Sequence, residues 1–220
     1  PFAIFPKKGG RVVDELTEDL WQETGRMLGR LHAVGSQIQN TDRVVWRPAI
    51  ATAKNLETLL NRDVIPSDYQ AVLESSVKQF IQKFDPQFDG IETQLIHGDC
   101  HFGNIIYRPD EHLYIVDFDD CVMGPPVQDL WMLLPGSVEE SQQELAWFRE
   151  GYMTFRDFPN TTLNLIPVLK VMRQIHFAAW CALQKGEAQF DHHFPEWGSV
   201  RYWNELVKDI MELSSHDNEA

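Results

Sequence analysis

The sequence predicts an α+β fold, mainly α, with one small β insert. Helical spacing of apolar residues fills most of the 220 positions. That spacing gives way to short strand-like runs only between about 93 and 118. The unusual polar residues of the chain gather at the same place.

Residues 1–13 read as extended, with apolar Phe2, Ile4 and Phe5 ahead of Pro6 and the Gly9-Gly10 break. Thr17 is a candidate N-cap, with Glu18 and Asp19 in the first turn. Leu20, Thr24, Met27, Leu28 and Leu31 share a face behind it, and Gly35 ends the helix. A looser helix is expected over 49–60. Ser67-x-x-Gln70 reads as a capping box opening a helix to Phe84, with Tyr69, Leu73, Val77 and Phe80 at helical spacing.

Thr93–Ile96 is then a short strand. Asn104–Tyr107 and Leu113–Phe118 are two more, joined into a hairpin by the turn-forming Arg108-Pro109-Asp110-Glu111. Helix resumes over Val127–Leu134, and a second capping box, Ser137-x-x-Glu140, opens the next helix. A long helix is expected from Thr161 to Lys185, with Pro167 tolerable only in its first turns. A last one covers about 199–213.

The chain is long enough for one domain with a real core, or for a large lobe of a bigger protein. It begins Pro-Phe-Ala, not Met, and reads as a fragment or processed product. No apolar run approaches the ~20 residues of a membrane span. Three widely spaced cysteines, Cys100, Cys121 and Cys181, argue against a disulfide framework and for a reducing, cytoplasmic setting. A formal charge of −14, from 19 basic and 33 acidic residues, argues against a nucleic-acid partner. The same field opposes a free nucleotide, so bound ATP would need a divalent cation to neutralise the local repulsion. A monomer is expected.

The chemistry lies between 97 and 129. His97-Gly98-Asp99-Cys100-His101-Phe102-Gly103-Asn104 precedes the hairpin, and Val116-Asp117-Phe118-Asp119-Asp120 follows it. Phosphoryl transfer needs one carboxylate to orient the attacking hydroxyl and accept its proton. It also needs an amide and a carboxylate to hold Mg²⁺ on the phosphates. Asp99, Asn104 and Asp117 supply that set in the order used by protein kinases, with the hairpin returning Asp117 beside Asn104.

The run His97–Asn104 is the H-G-D-x-H-x-x-N signature, and the chain resembles the aminoglycoside phosphotransferase and choline kinase group of the kinase-like fold. The longer stretch from Leu95 to Leu134, with Gly124-Pro125 and Gln128-Asp129-Leu130-Trp131, is similar to bacterial serine/threonine protein kinases of stress responses built on that fold. The resemblance implies a catalytic Asp99, Mg²⁺ on Asn104 and Asp117, and a structural Asp129 tying the catalytic loop to the next helix. It also implies that Phe2, Ala3, Ile4 and Phe5 are an inter-lobe hinge that meets adenine, within a hinge segment 1–13. Residues 14–220 would then form the C-terminal catalytic lobe. The partners so implied are ATP and a protein carrying a serine or threonine acceptor.

Two departures from the pattern stand out. Asp117-Phe118-Asp119 replaces Asp-Phe-Gly, removing the glycine on which that motif would flip. Nothing resembling a Gly-rich loop or a phosphate-binding lysine precedes Phe2, so the N-terminal lobe is expected to lie outside this chain. The chain alone is therefore expected to transfer phosphate poorly.

Plainer readings stand beside these. His97 and His101 are of the kind that shape a loop, with substrate contact open to His101. Asp119 is open between a site role and a solvated turn. Cys100 reads as a small buried filler, because neighbouring carboxylates suppress its thiolate. Asp191-His192-His193 reads as surface. Three other functions compete: a kinase of small alcohols or aminoglycosides, a non-catalytic binding module, and a metallophosphoesterase suggested by Asp99-x-His101. The last lacks the downstream Gly-Asp and Asn-His motifs it would need.

Overall fold

The computed structural model describes residues 9–12, 16–38, 42–108 and 112–215. The expected hinge at Phe2–Phe5 lies outside the described residues. In chain order, β1 (Arg11–Val12) precedes α1 (Glu18–Gly35), and a π-helical turn at Pro48–Thr52 leads into α2 (Ala53–Asn61) and then α3 (Ser67–Phe84). Four strands follow: β2 (Gln94–Ile96), β3 (Ile105–Tyr107), β4 (Leu113–Ile115) and β5 (Val122–Gly124). The remaining helices are α4 (Gln128–Trp131), α5 (Gln142–Tyr152), α6 (Ile166–Gln184), α7 (Phe190–His193) and α8 (Val200–Ser215). The mainly helical α+β architecture is the one expected. The chain divides into two compact units, Pro1–Arg43 with Glu92–Leu163, and Val44–Ile91 with Asn164–Ala220.

The first unit is built on α1 and α5. The face of α1 that packs inward carries the expected Thr24, Met27 and Leu28, together with Trp21, Gly25, Gly29 and His32, which the apolar stripe did not include. Leu20 and Leu31 are only partly buried. The reason is close backbone approach: a Cβ on Gly25 would run into the Phe148 carbonyl, and one on Gly151 into the Gln22 carbonyl. Small residues at the crossing let the helices meet main chain to main chain. Phe148, Tyr152 and Phe158 close one end of this core, with ring centroids 5.4–5.9 Å apart. Leu28, Leu133 and Leu145 are fully buried there, and burial of such a side chain contributes about 1.5–3 kcal/mol.

The expected hairpin forms. β3 and β4 pair antiparallel with Ile105 opposite Ile115 and Tyr107 opposite Leu113, and β1 adds to the other edge of β3. The strand at 94–96 does not join this sheet. It pairs antiparallel with β5, Ile96 opposite Val122, a strand the sequence reading missed. Loops leaving these two small sheets therefore meet: 97–104 runs from β2 to β3, and 116–121 runs from β4 to β5.

The second unit packs α3 against α8 and α2 against α6. Leu73, Val77, Phe80 and Phe84 line the buried face of α3, the periodicity expected of it. The Arg47 guanidinium fixes the start of the π-helical turn. It donates from Nε to Asp85 Oδ1 at 2.9 Å and from Nη2 to Asp89 Oδ1 at 3.0 Å, and also contacts Asp85 Oδ2. The Ala49 amide donates to Asp85 Oδ1 at 2.7 Å. The Arg47 hydrogen bond holds the Asp85 carboxyl below its ordinary range, against the opposing effect of burial.

The two capping boxes diverge. At 137–140 the reciprocal bonds are present: the Ser137 amide donates to Glu140 Oε2 at 2.9 Å, and the Glu140 amide to Ser137 Oγ at 3.2 Å. They close a turn, and α5 itself starts at Gln142. At 67–70 no box forms. Pro66 is the N-cap, its carbonyl accepting from the amides of Tyr69 and Gln70, which places Ser67 already inside the helix. The helix expected over Val127–Leu134 is the single turn α4. Pro167 does sit in the first turn of α6. No helix among the described residues is long and apolar enough to cross a membrane.

Candidate active site

The loop from His97 to Asn104 is held by hydrogen bonds within itself, to α4 and to Val116 of the facing loop. The amides of His97 and Gly98 donate to the two oxygens of Asp129, each at 2.8 Å. Gln128 Nε2 donates to the Gly98 carbonyl at 3.2 Å. Gly98 has φ +86°, a conformation that disfavours a side chain, and a Cβ there would strike the Asp120 carbonyl. One turn of helix and one glycine thus set the path of the backbone entering Asp99.

His97 is fully buried. Its Nε2 lies 2.8 Å from the Val116 carbonyl, to which it donates, and its Nδ1 accepts the Asp99 amide at 3.3 Å. The imidazole therefore bridges the two loops, and Phe118 packs on it edge-on at 5.0 Å. Asn104 makes a second bridge. Its Nδ2 donates to the Asp99 carbonyl at 2.9 Å, and its own carbonyl accepts the Val116 amide at 3.0 Å. Committing Nδ2 in this way assigns Oδ1 as the accepting side of the amide.

Asp117 follows directly on Val116. It is exposed, and its φ of +66° lies in the left-handed region. A non-glycine residue held there costs about 1–3 kcal/mol, and such positions concentrate at functional sites. Asn104 and Asp117 thus sit on adjoining strands of backbone with oxygen donors, the kind a hard divalent cation takes. Among the described residues no three His, Cys, Asp or Glu side chains converge on a metal position. A cation here would share its coordination with a ligand's own oxygens.

The Asp99 side chain is 15% exposed and lies 3.6 Å from His101 Nε2. The Asp119 carbonyl accepts from Arg43 Nη1 at 2.6 Å, which holds the 117–120 turn. Asp129 carries a further contact that sequence reasoning did not anticipate. Its Oδ2 lies 3.0 Å from His32 Nε2, and His32 Nδ1 lies 2.9 Å from the Tyr152 hydroxyl. A buried chain therefore runs from α5 through α1 to α4 and ends on the amides beside Asp99. Arg156 and Gln94 pin the same end of α1: Gln94 Nε2 donates to the His32 carbonyl at 3.0 Å and Arg156 Nη1 at 3.1 Å.

Comparison with known proteins accords with this geometry. Residues 1–159 match the family model described as the phosphotransferase enzyme family. The chain belongs to the phosphotransferase enzyme family. It is 33% identical over 216 residues to stress response kinase A of Escherichia coli (strain K12) and of Salmonella choleraesuis (strain SC-B67). The serine/threonine protein kinase RdoA of Salmonella typhimurium is equally similar. In each case the match covers 96% of this chain and 64% of the relative, so the chain spans less than two thirds of those proteins. Among solved structures, the amicoumacin kinase hAmiN in complex with AMP-PNP, Ca²⁺ and Ami superposes with a TM-score of 0.63 at 24% identity, covering 94% of this chain and 66% of that one. Choline kinase LicA of Streptococcus pneumoniae gives 0.60 at 19% identity, covering 89% and 64%. The fold is the kinase-like one.

Within this phosphotransferase-family chain the structure brings His97, Asp99, His101, Asn104, Asp117 and Asp119 onto two facing loops, with Asp129 beneath them. Phe2, Ala3, Ile4 and Phe5 lie outside the described residues. Cys100 is fully buried, and burial, followed by the charges of Asp129 and Asp99, pushes its thiol well above the ordinary range. All three cysteines are free thiols.

Proposed function

We propose that the chain carries the catalytic and metal-holding residues of an ATP- and Mg²⁺-dependent phosphotransferase that acts on the hydroxyl of a protein serine or threonine. The observation behind it is the double bridge at Asn104. Its side-chain bond to the Asp99 carbonyl fixes the catalytic loop internally, and its main-chain bond to Val116 couples that loop to the turn bearing Asp117.

Asp99 orients the acceptor hydroxyl and takes its proton as the oxygen bonds to the γ-phosphorus and the bond to the β,γ-bridging oxygen breaks, releasing ADP. Asn104 Oδ1 and the Asp117 carboxylate would hold Mg²⁺, which would supply neutralisation of charge on the phosphates. Asp129 holds the amides of His97 and Gly98, so that Asp99 leaves the backbone at one fixed angle. His97 keeps the two loops in register through Val116.

The protein acceptor is supported by the name of the relative RdoA, a serine/threonine protein kinase. A small-molecule acceptor is the second reading, favoured by the solved neighbours that are kinases of amicoumacin and choline. The full-length protein, incubated with γ-labelled ATP, Mg²⁺, a generic protein substrate and an aminoglycoside, separates them. Label on serine or threonine that is absent with Asp99→Ala supports the first. Label on the drug alone supports the second. Nucleotide binding without transfer to either would leave a binding module.

A further inference from the structure

We propose that His101 is a positioning residue for Asp99, a fixed donor that holds one carboxylate oxygen so that the other faces the acceptor hydroxyl. This deepens the reading of Asp99 as the proton acceptor and rests on it.

Three observations converge. His101 Nδ1 accepts the Gly103 amide at 3.0 Å, capping the short 3₁₀ turn Phe102–Asn104. A ring nitrogen that accepts an amide proton carries none of its own, so the proton of the neutral ring is on Nε2. Nε2 is the atom turned towards Asp99, 3.6 Å from Oδ2, with the two side chains 44% and 15% exposed. This is ion-pair range rather than a closed hydrogen bond. Contacts of this kind in an active site tighten once substrate is in place.

The third observation is the space left for the ring. A Cβ on Gly103 would sit 2.7 Å from His101 Cε1 and 2.9 Å from Nδ1. Glycine at 103 therefore lets the imidazole lie flat on the turn with Nε2 aimed at Asp99. The arrangement divides the labour within the loop. Asn104 holds the main chain of Asp99, by its carbonyl, and His101 holds the side chain, by Oδ2. Once the His101 contact closes, a carboxylate held at both points would present Oδ1 to the incoming hydroxyl, and misplacement of a reacting group by about 1 Å can lower a rate ~100-fold.

The two duties of His101 separate by substitution. Asparagine accepts an amide two residues on, as His101 does from Gly103, but does not reach Asp99 as a donor. Steady-state transfer by the full-length protein is measured for His101→Asn, Gly103→Ala, Asp99→Asn and the His101→Asn/Asp99→Asn double variant, with the thermal midpoint of each. His101→Asn is expected to lower kcat roughly 10- to 100-fold with KM for the nucleotide unchanged. Gly103→Ala, which keeps the imidazole but displaces it, should do the same. In the double variant, His101→Asn should cause no further loss beyond Asp99→Asn. Wild-type kcat in His101→Asn or Gly103→Ala, beside an inactive Asp99→Asn, overturns the proposal and leaves the reading of Asp99 standing. Full activity in Asp99→Asn overturns that reading itself. A fall in thermal midpoint matched by a rise in KM would make His101 a turn-former only.

Discussion

His32 and Asp129 face each other 3.0 Å apart, 1% and 0% exposed, although 97 residues separate them in the chain. The carboxylate so held accepts both amides that lead into Asp99. A buried carboxylate is tolerable only when its oxygens are all engaged. His32→Leu removes one of three donors and leaves the rest of the charge in the core. It should destabilise the protein by about 3 kcal/mol or more, read as a lower urea midpoint. Tyr152→Phe, which deletes only the outer hydroxyl, should cost about 1 kcal/mol. Equal stability of His32→Leu and the parent would remove the anchor from the account.

Gly25 and Gly151 set how closely α1 and α5 approach. Gly25→Ala places a methyl group against the Phe148 carbonyl, a rigid neighbour that cannot turn aside. The expected loss is about 1–3 kcal/mol for overpacking. At about 2–4 °C per kcal/mol for a chain of this size, that is a fall of several degrees in thermal midpoint. Gly186→Ala is no control, because φ is +117° there. Gly9→Ala, where no atom of the described residues lies within 4 Å of the added methyl, should leave the midpoint unchanged.

The Arg47–Asp85 pair gives a pH dependence with a definite sign. The folded-state value of Asp85 is depressed, chiefly by the Arg47 hydrogen bond. Its contribution to stability is thus fully present above the unfolded carboxyl value of about 3.9 and is lost as pH falls through the lower folded value. Asp85→Asn should be less stable than the parent at pH 7, by about 1 kcal/mol for a partly solvated pair. The difference should shrink in acid, as urea unfolding at pH 7 and pH 3 would register. A gap that widens in acid contradicts the assignment.

Cys100 sits next to Asp99 in sequence yet should behave as an inert side chain. Burial and the two carboxylates keep its thiol protonated. Iodoacetamide at pH 7.5 should not label it in the folded protein and should label it fully in urea. Native labelling at Cys100 would mean that the loop opens far more readily than its bonds suggest.

The catalytic loop is legible in the sequence because its chemistry is contiguous. Asp99, Asn104 and Asp117 fall within nineteen positions, and the turn at 108–111 between apolar runs says that the chain doubles back. Asp129 is legible through the resemblance. His32 and Tyr152 are not: on a helical wheel a histidine among Met, Leu and Gly is one more inward residue, and its partner comes from another helix. Thr24, Met27 and Leu28 lie on the inward face of α1 as their spacing predicts, and the edge of that face differs for a related reason. Hydrophobicity weights Leu20 and Leu31, whereas the close contact with α5 selects glycine. β5 escaped notice because Val122-Met123-Gly124 is too short to show alternation, and only its partner β2 makes it a strand. Ser67 looked like a cap because the motif matches. The helix starts one residue earlier, with the Pro66 carbonyl accepting the amides of Tyr69 and Gln70.

The most direct test separates transfer from binding at the two loops. Asp99→Ala and Asp117→Ala are made in the full-length protein, and each is assayed for transfer from γ-labelled ATP and, by calorimetry, for affinity for Mg²⁺-ATP. Asp99→Ala should lose transfer and keep most of its affinity, while Asp117→Ala should lose transfer and bind Mg²⁺-ATP clearly more weakly. Transfer at the parent rate in both variants would contradict the assignment of these loops to phosphoryl transfer.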